Sequence, residues 1–210
     1  MSYSTPLWTS NDSAAGCIVP REYDGPESCL DSGNSIPVLW SICFSSKDLN
    51  VVLAPEEDWS ADDSPHYLAS CDTDLKSALS RLDLRMPSLY KIVPPHAHNI
   101  CKLFHQRLKN SSATHIHLDL SWLLDNDENP ADGSWRKYFG NILDGLDEPV
   151  TTVREGFSSK LLGLGLPSSW NDACFWAMGA QSAKLIRAHD VDLWYIAGAG
   201  SIEEMQSWKA

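Results

Sequence analysis

Hydrophobic residues along the chain follow two spacings, one typical of strands and one typical of helices. The clearest strand pattern is THIHLDL at Thr114 to Leu120, where Ile116 and Leu118 alternate with polar residues. Shorter apolar runs predict strands at Pro6 to Thr9, Asn50 to Ala54 and Val191 to Ile196. The apolar residues Tyr67, Leu68 and Ala69 form a further short patch without a predicted element.

Apolar residues three and four positions apart predict the helices. Asp72 or Thr73 can cap one helix, and Pro87 is expected to end it. The apolar face of that helix consists of Leu75, Leu79, Leu82 and Met86. Further helices are predicted at 36–44, Pro94 to Asn110, Ser134 to Leu146, Ser169 to Ala188 and Ile202 to Trp208. For residues 36–44, a fully buried strand is the alternative.

The order of these elements predicts a mixed α+β domain in which a small sheet packs with about five or six helices. A chain of 210 residues is long enough for one sizeable core, so we expect a single globular domain over residues 1–210. Residues 11–35 are rich in Ser, Gly, Pro and Asp and are expected to form a long loop.

The charge is strongly acidic and unevenly distributed. The net charge is −12. Residues 1–90 carry 14 acidic and 5 basic residues (net −9), whereas residues 91–210 carry 14 and 11 (net −3). Such a surface repels nucleic acid and anionic lipid, so neither is an expected partner, whereas a basic protein would be attracted to it. The alternative is that the charge serves only solubility.

The N-terminus has no secretory leader, and no segment is apolar for the roughly 18 residues that a membrane span needs. We therefore expect a cytoplasmic protein. The six cysteines include no CxxC pair, which favours reduced and mostly buried thiols. No motif implies a cofactor.

Two pairs of residues have the spacing of reactive or metal sites. His115 and His117 share one face of a predicted strand, as two zinc ligands would, and His96, His98 or Asp119 could supply a third. The other interpretation is a solvent-facing polar side of the strand. Cys101 and His105 are four apart on a predicted helix, but a single helical cysteine is most often a small core residue.

Two glycine- or acid-rich segments imitate ion-binding loops. Asp125, Asp127 and Asn129 have the spacing of the first calcium ligands of an EF-hand, but Pro130 and Arg136 stand where a glycine and a glutamate are required. GLGLP at 163–167 lacks the spacing and the lysine of a phosphate-binding loop. We therefore expect no bound metal and no catalytic residue.

Two acidic segments each contain a tryptophan, which is a pattern typical of protein interfaces. In the first segment, Trp59 is surrounded by Glu56, Glu57, Asp58, Asp62 and Asp63. In the second segment, Trp135 follows Asp125, Asp127, Glu128 and Asp132. These eleven residues are the predicted partner-binding residues, and the alternative is that both tryptophans turn inward beneath an ordinary acidic surface.

Four stretches of the chain resemble a family of small, acidic, uncharacterised bacterial proteins, some of which accompany secreted antibacterial toxins as immunity proteins. They are SYSTPLWTSND, NSIPVLWSICFS, HYLASCDTDLKSALSRL and HLDLSWLLDNDENP, all within residues 1–148. The resemblance implies a role and no catalytic residues. Together with the charge, it predicts an immunity protein that occludes a basic toxin, such as a nuclease. A metal-dependent hydrolase and an intracellular adaptor or regulatory binding protein are the alternatives.

Overall fold

The computed structural model describes residues 5–13, 29–32, 35–54, 67–124, 133–151, 168–170, 172–174, 193–199, 201–208 and 210. The described strands are β1 (Pro6–Ser10), β2 (Cys29–Asp31), β3 (Leu49–Leu53), β4 (Tyr67–Asp74) and β5 (His115–Asp119). The described helices are α1 (Val38–Ser41), α2 (Leu75–Ile92), α3 (His98–Asn110), α4 (Ser121–Leu124), α5 (Ser134–Gly145), α6 (Leu193–Ala197) and α7 (Ile202–Ser207). Short 3-10 turns, Ser46–Asp48 and Pro95–Ala97, precede β3 and α3.

The strands form one antiparallel sheet in the order β2-β1-β5-β4-β3, so the predicted mixed α+β class is confirmed. β5 lies at the centre because its neighbours pair with both of its edges: Trp8 and Asp72 both lie opposite His117. Side chains of successive strand residues point to opposite faces. The face that carries Leu7, Ile116 and Leu118 is buried in the hydrophobic core.

Helix α2 is capped close to the predicted position, but the capping residue is Asp74 and not Asp72 or Thr73. The Asp74 carboxylate accepts hydrogen bonds from the Ser77 N–H at 2.9 Å and from its hydroxyl at 2.6 Å. The helix buries Leu75, Ala78 and Leu82 against the sheet. Asp72 and Thr73 instead belong to β4, a strand that the apolar patch at 67–69 indicated only at its start.

The prediction that Pro87 ends this helix is wrong, because α2 continues to Ile92. Proline removes one backbone N–H, but Pro87 and Asp83, whose carbonyl would have been the partner, both lie on the exposed side of α2. Water can satisfy that carbonyl. Leu89 and Ile92, further along α2, are buried in the core and stabilise the continued helix.

Arg85 joins three parts of the structure from within the core, where it is almost fully buried. Its guanidinium donates to the carbonyl oxygens of Ile42, Phe44 and Leu143 and to the Asp147 carboxylate, at distances of 2.5 to 3.3 Å. Such a charge is tolerated in the interior because its donors are paired with acceptors. Arg85 therefore connects α2 with the end of α1 and with α5.

The C-terminal part contains a second correction. The strand predicted at Val191 to Ile196 is wrong, because Leu193–Ala197 is helix α6. An apolar run of this length fits either structure, and here Trp40 Nε1 donates to the Ala197 carbonyl at 2.9 Å at the end of the helix. Of the helix predicted from Ser169 to Ala188, residues 168–170 and 172–174 are helical, and the remaining positions lie outside the described residues.

The long loop expected at residues 11–35 is wrong at its C-terminal end, because Cys29–Asp31 is strand β2. The other predicted elements agree with the structure to within a few residues. They are the strands at β1, β3 and β5 and the helices that correspond to α1, α3, α5 and α7. No helix among the described residues has the length and apolar character needed to cross a membrane. Cys43, Cys71, Cys101 and Cys174 are buried free thiols, and Cys29 is half-buried.

Candidate functional site

The face of the sheet opposite the core, which we call the polar face, concentrates negative charge. The five strands contain four aspartates and no lysine or arginine. The strand register places all four aspartates on the polar face: Asp31, Asp72, Asp74 and Asp119. Asp31 and Asp74 are exposed and Asp119 is half-buried, so this face has an anionic rim.

At the centre of the polar face, three side chains from three adjacent strands form a continuous hydrogen-bonded array. Ser10 Oγ on β1 lies 2.8 Å from His117 Nε2 on β5. His117 Nδ1 lies 2.8 Å from Asp72 Oδ1 on β4. The register brings the three together, because Trp8, two residues before Ser10, and Asp72 both lie opposite His117. We call these residues the Ser10–His117–Asp72 array.

Neighbouring groups hold the Asp72 carboxylate in place. Its second oxygen, Oδ2, accepts hydrogen bonds from Asn50 Nδ2 at 2.8 Å and from Ser70 Oγ at 2.5 Å. The Asp72 side chain is only 6% exposed and the His117 side chain is fully buried. Since a carboxylate accepts hydrogen bonds, the contact with Asp72 Oδ1 places the proton of the imidazole on Nδ1.

The ring of His117 is also held by aromatic contacts. The Trp8 ring stacks on it with centroids 5.3 Å apart, and the His115 ring stacks with centroids 6.3 Å apart. Because Nδ1–H donates to Asp72, Nε2 is left as an acceptor for the Ser10 hydroxyl in the neutral imidazole. The arrangement can therefore remove a proton from Ser10, as the histidine of a serine hydrolase does.

Ser10 also takes part in a turn at the end of β1. Its Oγ accepts from the Asp12 N–H at 3.0 Å and lies 3.2 Å from the Asp12 carbonyl oxygen. Ser10 is half-buried, unlike the enclosed His117. The hydroxyl is thus the member of the array nearest to solvent.

His115 and His117 lie on the same face of β5, as the sequence predicts. The alternative, that this side of the strand faces solvent, is wrong for His117, which is buried. Asp119 shares the face, but its Oδ1 accepts from the Ser121 N–H. Of the other two proposed ligands, His96 lies in the 3-10 turn before α3, and His98 begins α3 and contacts the Tyr90 carbonyl. Among the described residues, no three His, Cys, Asp or Glu side chains converge in a group that could hold a metal ion.

Cys101 and His105 do not form a reactive pair. Cys101 is enclosed in the core, and this burial raises the pKa of its thiol to about 12. His105 Nε2 instead lies 3.3 Å from Asp83 Oδ1 of α2. A thiol that stays protonated is a poor nucleophile, which agrees with its interpretation as a core residue.

Most of the predicted partner-binding residues lie outside the described residues. This applies to Glu56, Glu57, Asp58, Trp59, Asp62 and Asp63 in the first acidic segment and to Asp125, Asp127, Glu128 and Asp132 in the second. The calcium-like loop and the GLGLP run lie outside them as well. Trp135 is described: it is half-buried, and its ring stacks on Phe139 at 5.4 Å and 8°.

The sequence interpretation missed Ser10 and the role of Asp72. Asp72 was considered only as a helix cap, although Ser70, Asp72 and Asp74 alternate with Ala69, Cys71 and Thr73 as strand residues do. That alternation would have placed Asp72 on the polar face of a strand. The pairing partner of β1 depends on contacts between residues more than 100 positions apart, for which the sequence contains no local signal.

Comparison of the chain with protein-family models, with curated proteins and with solved structures found no match in any of the three.

Proposed function

We propose that the protein is an immunity protein that binds a basic domain of a secreted antibacterial toxin and occludes its active or substrate-binding surface. The observation that carries this proposal is the polar face of the sheet, with four aspartates and no cation in its strands. A nuclease is the toxin class that fits best, because a surface that binds nucleic acid is basic. Its inhibitor must then act in the cytoplasm, where those nucleic acids are.

The distribution of charge supports the same partner. The net charge of −9 in residues 1–90 includes Asp31, Asp72 and Asp74 of the polar face. Exposed charges mainly accelerate the association of oppositely charged proteins, whereas buried aromatic residues slow their dissociation. An inhibitor of this kind needs an interface of roughly 1,600 Å² in total. The polar face and the two acidic segments are the surfaces that we assign to it.

Co-expression with a toxin tests this proposal. The proposal predicts that a secreted toxin is encoded beside this chain, and the toxin domain of that protein is the partner to use. Expressed alone in a susceptible bacterium, that domain should stop growth, and co-expression of this protein should restore it. The two purified proteins should also elute as one complex in size-exclusion chromatography. Failure of the protein both to restore growth and to bind the toxin domain would reject the proposal.

One observation favours a second function, the hydrolysis of an ester or amide by Ser10. In this reaction, Ser10 Oγ attacks the substrate carbonyl and its proton passes to His117 Nε2. The proton then goes to the leaving group, which departs as an alcohol or amine. Water hydrolyses the acyl-serine to a carboxylic acid and restores Ser10. Asp72 would stabilise the imidazolium that forms in each step.

A covalent probe distinguishes this second function from binding. A fluorophosphonate should label one serine per chain, identified by mass spectrometry as Ser10, and the Ser10→Ala and His117→Ala variants should not be labelled. The same two variants should hydrolyse p-nitrophenyl acetate more slowly than the wild type does. If the wild-type chain is not labelled, or if Ser10→Ala is labelled equally, the array serves only to stabilise the sheet.

A further inference from the structure

Strand β3 forms one edge of the sheet that the described strands make. The sheet order places only β4 beside β3. The sequence of the strand, LNVVL, contains no charge and no proline. Charged residues and prolines usually protect an edge strand from pairing with another chain, and β3 has neither.

The direction of the backbone groups in β4 follows from two hydrogen bonds. The Leu120 N–H donates to the Ala69 carbonyl at 2.8 Å, and the Ala69 N–H donates to Ser121 Oγ. The backbone groups of Ala69 therefore point towards β5 and the residues after it. Because these directions alternate along a strand, Leu68 and Ser70 point towards β3.

The partners of those two residues identify the outward groups of β3. Asn50 lies opposite Ser70 and Val52 lies opposite Leu68, so Asn50 and Val52 bond to β4. Val51 and Leu53 then direct their N–H and C=O groups away from the sheet. Within the described part of the chain, no hydrogen bond reaches these outward groups of Val51 and Leu53.

The two ends of the edge differ in accessibility. At the first end, α5 packs closely on Leu49, and an added Cβ on Gly140 would lie 3.6 Å from Leu49 Cδ1. At the other end, Leu53 is 50% exposed. The accessible part of the edge is therefore Val51 to Leu53.

We infer that the edge of β3 from Val51 to Leu53 binds an extended, basic segment of the toxin partner by addition of a β-strand. This inference rests on the proposed function, since it names how that partner is held. In such complexes, backbone hydrogen bonds supply affinity and alternate side chains supply specificity. An added strand would lie about 4.8 Å from β3, on the side away from β4.

Charge identifies the occupant. A second copy of this chain also has a net charge of −12, and two such molecules repel each other at low salt. A basic segment is instead attracted by the net negative charge of the chain. In the sequence, the acids Glu56, Glu57 and Asp58 also follow Leu53 within five positions. A basic strand is therefore favoured over self-association.

Hydrogen exchange with a peptide probe tests the inference on the full chain. The probe is a ten-residue peptide of alternating lysine and valine, and the control is the same peptide with glutamate in place of lysine. The lysine peptide should slow exchange of the Val51 and Leu53 amides by about tenfold or more, because each gains a hydrogen bond. The amides of Asn50 and Val52, already bonded to β4, should change little, and the glutamate peptide should have no effect.

Matched variants separate backbone pairing from side-chain contact. Val51→Pro removes one outward N–H and leaves the hydrogen bonds to β4 intact. The variant should therefore fold but no longer bind the lysine peptide. Val51→Thr keeps that N–H and should bind as the wild type does. If Val51→Pro does not fold, the exchange measurement on the wild-type chain decides alone.

Four results would overturn the inference. The Val51 and Leu53 amides could be as protected in the free protein as those of Asn50 and Val52, which would mean that the edge is covered. The lysine peptide could fail to protect them, or the glutamate peptide could protect them equally. Protection that rises with protein concentration alone would instead identify a second copy.

The toxin assay separates this inference from the proposed function. If Val51→Pro restores growth and binds the toxin domain as well as the wild type does, the immunity function stands and strand addition is wrong. If the wild-type chain itself neither binds the toxin domain nor restores growth, the immunity function is wrong. Slower amide exchange of Val51 and Leu53 with the lysine peptide would then show only a site for a basic strand.

Discussion

His117 Nδ1 on β5 lies 2.8 Å from Asp72 Oδ1 on β4, and both side chains are buried at the centre of an acidic sheet face. The pair links the two middle strands of the polar face, and Ser10 extends it to a third strand. A buried polar cluster of this kind is stable only while every member keeps its partners. The array is therefore a structural centre of the face that we assign to binding.

Removal of the imidazole should destabilise the fold more than removal of the serine hydroxyl. His117→Ala leaves a buried carboxylate without one of its partners and creates a cavity, so the free energy of unfolding should fall by about 3 kcal/mol. Ser10→Ala removes one hydrogen bond at a half-buried position and should cost about 1 kcal/mol. Urea denaturation of both variants measures the difference. Equal, small losses would contradict a structural role for the array.

The two described glycines with positive φ provide a matched test of packing at the C-terminal helices. Gly198 has φ 71°, and a Cβ added there would overlap the Trp40 ring, whereas Gly133 has φ 73° with nothing within 4 Å. Gly133→Ala should lower the free energy of unfolding by only about 1 kcal/mol, because alanine is strained in the left-handed conformation. Gly198→Ala should lower the free energy of unfolding by about 3 kcal/mol, because the overlap with Trp40 adds to the same strain. Thermal unfolding of the two variants gives the comparison, and similar values would exclude the Trp40 contact.

The cap of α2 should make stability depend on acid pH. Hydrogen bonds from the Ser77 side chain and backbone lower the pKa of Asp74 from its ordinary value of 3.8. The ionised form therefore contributes stability that is fully present above pH 3.8 and is lost as the pH falls through the lower pKa of the folded state. At neutral pH, Asp74→Ala should cost about 1 kcal/mol and Asp74→Asn much less. The gap between wild type and Asp74→Ala should narrow below pH 3.8 in acid titrations of stability. A gap that stays constant to pH 2 would contradict this assignment.

Local patterns were sufficient to predict most of the elements, because capping residues and apolar spacing act over a few residues. The α3 helix and strand β5 were predicted in this way, as was the mixed α+β class. The continuation of α2 beyond Pro87 was not predictable from the helix alone, because it depends on burial of Leu89 and Ile92 by other elements. The Ser10–His117–Asp72 array was missed for the same reason, since it requires the pairing of three distant strands.

The acidic segment around Trp59 should contribute to the rate of toxin binding. Neutralising Glu56, Glu57, Asp58, Asp62 and Asp63 together should slow association and reduce its dependence on salt, with no loss of folding. Trp59→Ala or Trp135→Ala should instead accelerate dissociation by an amount worth about 2 kcal/mol if the ring is an interface anchor. Stopped-flow association and surface-plasmon dissociation measure the two effects. If the five-fold variant associates at the wild-type rate at low salt, the segment serves only solubility.

The measurement that tests the central claim most directly is the association rate of the toxin domain with the polar face as a function of salt. The variant to compare with the wild type carries Asp31→Asn, Asp74→Asn and Asp119→Asn, which remove three negative charges and keep one side-chain oxygen acceptor at each position. We expect its association rate at low ionic strength to fall by about tenfold or more and its salt dependence to flatten, since steering by exposed charge is screened over about 8 to 10 Å. An unchanged rate and salt slope in this folded variant would show that the toxin does not approach the acidic face of the sheet, and would contradict the account.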